Sequence, residues 1–66
     1  MSDPIAEKAH RLGLLTLVEA ARASGIPGPE LAKAVIEGRV RSVMVDGIAH
    51  IPPDALDEYQ AARRTA

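Results

Sequence analysis

The 66-residue chain has no cysteine, no tryptophan and no phenylalanine, and only one tyrosine, Tyr59. Without cysteine there is neither a disulfide framework nor a thiolate metal site. Without large aromatics, the core has to be built from 16 Leu, Ile and Val residues and 12 Ala. Small aliphatic side chains bury modest area, so a domain of this size has a thin margin of stability, which dimerisation or ligand binding would supplement. Long hydrophobic runs are missing too. Stretches such as Leu14-Leu15 and Val43-Met44-Val45 fall far short of the roughly 20 apolar residues that span a bilayer, so no membrane association is expected. Met1-Ser2-Asp3-Pro4 starts with neither a basic nor an apolar leader segment. With the absent cysteines, this predicts a cytoplasmic protein.

An excess of positive charge is also lacking. Eight Lys and Arg stand against nine Asp and Glu, a formal charge of −1, whereas generic polyanion binders are clearly basic. Any attraction for phosphate therefore has to come from local clustering. Catalysis finds little support. There is no Gly-rich phosphate loop and no Ser-His-acid set, and a core this small leaves little room for a cleft. His10 and His50 lack the spacing of a metal pair, and no third ligand accompanies them. The expectation is a non-enzymatic chain with no metal, no cofactor and no small-molecule substrate.

What is present is regular punctuation by Gly and Pro. Ser2 or Asp3 caps a first helix with Pro4 in its first turn, where a missing N–H is tolerated. That helix is predicted to run to about Leu12, with Ile5, Ala9 and Leu12 on one stripe and Gly13 just past its end. Thr16-Leu17-Val18-Glu19 is a capping box, with Leu15 and Ala20 as a weak staple. The second helix continues through Val18, Ala21 and Arg22 to Ser24 and stops at Gly25. In Ile26-Pro27-Gly28-Pro29, Pro27 bars helix at Ile26, and Gly28 is free to take angles other residues avoid. Pro29 opens a third helix that buries Leu31, Ala34 and Val35 and ends at Gly38. Arg39 to Val45 is rich in β-branched residues, and Asp46-Gly47 is a hairpin signal. Ile48 to Ile51 returns as a second strand, stopped by Pro52-Pro53. Alternation is read as placing Val43, Val45, Ala49 and Ile51 inward and Met44, Ile48 and His50 outward. A last helix buries Ala55, Leu56 and Tyr59, with Ala62 extending the stripe and Arg63 and Arg64 in its final turn.

Two helices joined by a short turn and followed by a hairpin form a winged helix-turn-helix layout. The expected architecture is mainly α with a β-hairpin: an N-terminal helical extension over 1–13 and the winged domain over 14–66. The segment LTLVEAARASGIP resembles the first helix and turn, and EGRVRSVMVDGIAHIPPDAL the wing, of the small MerR-like winged-helix domains of the phage excisionase family. The resemblance covers Leu15 to Tyr59, about two thirds of the chain. It implies an excisionase-like or transcription-regulating accessory factor that binds double-stranded DNA, the second helix of the motif entering the major groove and the wing lying on the backbone. Such domains usually carry polar and basic residues at the turn and outward on the wing. Here the turn is Pro27-Gly28-Pro29, and the outward wing positions are assigned to Met44, Ile48 and His50.

The DNA-facing candidates are Lys33, Arg39, Arg41 and Arg22 for phosphate, His50 for phosphate when protonated, and Glu30 as an acceptor from cytosine. Arg63 and Arg64 can reach a flanking phosphate. For any single arginine, an ordinary solvated charge is the blander reading; the grouping of Lys33, Arg39 and Arg41 at one helix–wing junction favours function. Base readout is poorly served, with no Asn and one Gln, Gln60. A second class of function follows from Ile36, Met44 and Ile48, read as an exposed apolar cluster. That would make the chain an interaction module, binding a second copy or another protein. The alternative for this cluster is that the first helix folds over it.

Overall fold

A computed structural model describes residues 3–65 of the chain. The order of elements is α1 (Pro4–Arg11), α2 (Leu17–Ser24), α3 (Gly28–Ile36), β1 (Val43–Val45), β2 (Ile48–His50) and α4 (Pro53–Thr65). The fold is mainly helical with one antiparallel hairpin, the arrangement of a winged helix-turn-helix with a helix added in front. Among the described residues, no helix is long and apolar enough to cross a membrane.

Local chemistry accounts for the helix ends. Asp3 caps α1 by accepting from the Ile5 N–H at 2.9 Å; Ser2 lies outside the described residues. α1 ends one residue early, with Leu12 as its C-cap. The Leu14 N–H then bonds Ala9 O (2.9 Å), and the Gly13 N–H bonds His10 O (3.0 Å). These are the two bonds of a Schellman ending, which requires the left-handed φ of +77° at Gly13. The reversal turns Leu12 outward, 61 % exposed, and puts Leu14 in the apolar cluster in its place. The predicted Ile5–Ala9–Leu12 stripe is therefore Ile5, Ala9 and Leu14. Thr16 and Glu19 form the expected capping box, with bonds of 3.1 and 2.9 Å. The left-handed residue of the α2–α3 connection is Gly25, at φ +74°. Gly28 needs no such freedom, because it is already the first residue of α3.

The core is continuous under the helix-turn-helix. Ala20 from α2, Leu31 and Ala34 from α3, and Ala55, Leu56 and Tyr59 from α4 pack with Ile26, Val40 and Ile51. Leu31, Ala34, Ala20 and Ile51 are fully buried. Ala62 does not extend the α4 stripe; it is exposed, one turn beyond the last core contact. A second, smaller cluster of Ala9, Leu14 and Val45, with Ile5 against it, docks α1 onto the hairpin.

The hairpin is shorter than the β-branched run predicts. The Arg39 N–H is used by Ala34 O (2.8 Å) in ending α3, and Val40 plugs the core at 3 % exposure. Pairing therefore starts only at Val43. Asp46 and Gly47 both take positive φ, +50° and +78°, as a two-residue primed turn requires. This loop pairs Val45 with Ile48, Met44 with Ala49 and Val43 with His50. Opposed residues share a face, so Met44 lies with Ala49, while Ile48 lies with Val45, Val43 and His50. The inward and outward sets assigned from alternation are corrected accordingly: Met44 and Ile48 are on opposite faces. Past the hairpin, Ile51 leaves β2 to bridge Leu15, with bonds of 2.8 and 2.9 Å, tying the wing to the start of the helix-turn-helix.

Candidate functional site

α3 is attached to α2 through Leu31 and Ala34, and its other face is open to solvent, with Glu30 at its edge paired to α4. Pro29, Glu30, Lys33, Ile36 and Glu37 are all exposed. The connection before it, Gly25-Ile26-Pro27, is short because Gly25 reverses the chain with one bond from its N–H to Ala21 O (2.9 Å). Ile26, 3 % exposed, anchors the turn in the core.

The predicted DNA-facing residues divide into three groups. Lys33 and Arg22 are exposed and make no ion pair among the described residues. Arg39, Arg41 and Glu30 are exposed but paired. Arg39 binds Glu37. Arg41 reaches Asp54 at 2.7 Å and Glu58 at 3.7 Å, both on α4. Glu30 accepts from Arg63 at 3.1 Å. Pairs this open to water contribute little, a median of about 0–1 kcal/mol, so they hold the cations loosely.

His50 forms the third group, and its predicted role is overturned. It is 2 % exposed, and its Nδ1–H donates to Ile48 O at 2.8 Å. It lies on the Val45 face, beside the starts of α1 and α2, where a groove of about 320 Å³ is lined by Ile5, Leu17, Val18, Ile48 and His50 among others. A ring so enclosed cannot contact a phosphate backbone.

The predicted interface residues are all exposed, Ile36 at 84 %, Met44 at 62 % and Ile48 at 51 %, but they do not form one cluster on the wing. Hairpin register separates Met44 from Ile48. α1 covers Val45, on the Ile48 face, without enclosing Ile48.

Two features had no signature in the sequence. Arg63 stands over the Tyr59 ring, 5.9 Å from its centroid, while binding Glu30 from 33 residues away. His10 joins Glu19 across the α1–α2 connection. Among the described residues, no group of three or more His, Asp or Glu is placed to hold a metal ion.

No protein-family model, curated protein or solved structure matches the chain.

Proposed function

We propose that this chain is a small, non-catalytic DNA-binding protein, an excisionase-like or transcription-regulating accessory factor. The observation that carries the reading is α3 itself: a helix held by Leu31 and Ala34 on one side, after a three-residue turn, with its opposite face exposed and Lys33, which makes no ion pair among the described residues, on it. Such a helix can lie in a major groove. Arg39 and Arg41 follow it into the wing, and their weak pairs with Glu37 and Asp54 can be exchanged for phosphates, with release of counterions from the DNA. The net charge of −1 makes a single copy a weak binder, so occupancy of adjacent sites by several copies would supply the affinity.

A mobility-shift titration on random duplex DNA at low salt tests this. Binding that weakens with salt, and a Lys33→Ala variant whose salt slope falls by about 1, support it. No shift at tens of micromolar protein overturns it. A second reading, a winged-helix module that binds a protein or a second copy, is favoured by the exposure of Ile36 and Met44.

A further inference from the structure

We propose that the last turn of α4 carries a seat for a backbone phosphodiester, built by Arg63, Arg64 and Arg39 around Tyr59 and closed in the free protein by Glu30. The inference rests on the DNA-binding reading and adds to Lys33 and the wing a contact region at the end of α4, which shares Arg39 with the wing.

Two clefts meet at Arg63. One, of about 390 Å³, is lined by Glu30, Arg39, Tyr59, Ala62 and Arg63. The other, of about 290 Å³, is lined by Ser24, Gln60, Arg63 and Arg64. Three of the eight cations of the chain thus border two clefts that share Arg63, Arg64 on the side of the α2 end and Arg39 on the side of Tyr59, although Arg39 precedes the hairpin and the other two end α4. The local charge is three arginines against Glu30 and Glu37, a net excess of one positive charge in a chain that is negative overall.

The clefts are formed before any ligand arrives. Gln60 donates a long bond to Ser24 O, 3.4 Å, and the buried Tyr59 one residue earlier packs α4 into the core shared with α2. The stacking of Arg63 on Tyr59 orients its planar fork. That fork has five N–H donors, and among the described residues its one contact with a carboxylate is Nη2 to Glu30 Oε1 at 3.1 Å. A carboxylate offers the same oxygen acceptors as a phosphate, and arginine binds both in the same bidentate manner. Glu30 therefore occupies the place where a phosphate oxygen would bind. The pair is roughly half exposed, with side-chain exposures of 43 % and 46 %, so the carboxylate is displaced readily.

The test is fluorescence anisotropy of a labelled duplex with wild type, Glu30→Gln, Glu7→Gln and Arg63→Gln, each checked for folding by circular dichroism. Glu7→Gln is the control for net charge, since Glu7 is exposed on α1. Glu30→Gln is expected to bind several-fold tighter than Glu7→Gln. Arg63→Gln is expected to bind several-fold more weakly than wild type, with a salt slope smaller by about 0.9. If wild type binds DNA but Glu30→Gln equals Glu7→Gln and Arg63→Gln equals wild type, the seat is wrong while the DNA reading stands. If wild type does not bind duplex, the DNA reading fails and takes the seat with it. A titration with inorganic phosphate, followed by NMR of the arginine Nε–H signals, separates the two phosphate sources. A shift of Arg63 with phosphate and no binding of duplex overturns the backbone assignment in favour of a free anion.

Discussion

The Nε2–H of His10 donates to both carboxylate oxygens of Glu19, at 2.8 and 2.7 Å, so the same side chain that caps α2 also holds α1. Glu19 thus has two tasks: its side chain closes the capping box by accepting from the Thr16 backbone N–H, and it anchors the added helix through His10. The backbone bond from Thr16, with the contact from His10 next, holds its carboxyl below the ordinary value of 4.5.

Stability should therefore depend on acid through Glu19. A carboxylate whose pKa is depressed by folding stabilises the native state above its unfolded value, about 4.5, and loses that contribution as pH falls through the folded value. Glu19→Gln should be less stable than wild type at neutral pH, with the gap closing below the folded value. Urea midpoints at about pH 7 and about pH 3 measure this. A gap that is unchanged at acid pH would mean the carboxylate charge contributes nothing. Thr16→Ala, which removes the other half of the box, should cost about 1 kcal/mol.

Leu31 is, with Ile51, one of the two large aliphatic side chains that are fully buried. It is fully buried where α3 joins the cluster shared with α2 and α4. Leu→Ala at such a site costs about 2–5 kcal/mol, and a core of this size supplies about 3–5 kcal/mol in all. Leu31→Ala should be largely unfolded at 25 °C by circular dichroism. A cooperative melt close to that of wild type would show that the core relaxes around the cavity.

The turn at Asp46-Gly47 should be as sensitive to backbone as to side chain. A Cβ added at Gly47 meets no neighbour within 4 Å, so any cost of Gly47→Ala comes from its φ of +78°. A left-handed non-glycine residue costs about 1–2 kcal/mol, and about 1 kcal/mol lowers the melting temperature of a domain this small by about 4–8 °C. Differential scanning calorimetry reads the shift directly. An unchanged melting temperature would mean the hairpin is not part of the cooperative unit.

These elements show which features could be read ahead of the fold. Thr16-Glu19, Gly13, Gly25 and Asp46-Gly47 act within a few residues of themselves, and each does what its type requires. The core stripes of α3 and α4 were legible for the same reason: Leu31 with Ala34, and Leu56 with Tyr59, are set by helical spacing alone. The wing faces are not legible in this way, because alternation within a strand does not say which residue of the partner stands opposite. Loop length decides that, and a two-residue loop places Ile48, not Ala49, beside Val45. The face of His50 is not legible for the same reason. The pairs Glu30–Arg63 and Arg41–Asp54 join residues 33 and 13 apart, so nothing local marks them. They turn cations that look free in the sequence into cations already in use.

Met44→Lys and Ile48→Lys should separate the two functional readings, because register puts the two side chains on opposite faces of the wing. Both are more than half exposed, so both variants should fold. Ile48→Lys carries the larger stability cost, since Ile48 lines the groove with Ile5, Leu17 and Val18. If the wing lies on DNA, an added lysine on its contacting face introduces one phosphate contact, and the salt slope steepens by about 0.9 for that variant alone. If the chain instead associates through exposed apolar side chains, wild type should be larger than a monomer by light scattering. Met44→Lys would then reduce that mass, because a charge placed in an apolar contact must be desolvated. Monomeric wild type with a steeper salt slope in one variant supports DNA binding. A wild-type oligomer dissolved by Met44→Lys, with no change in DNA affinity, supports the interaction module. Ile36→Lys, on α3 and 84 % exposed, distinguishes the surfaces further: it should tighten DNA binding if α3 enters the groove and should leave a wing-mediated oligomer intact.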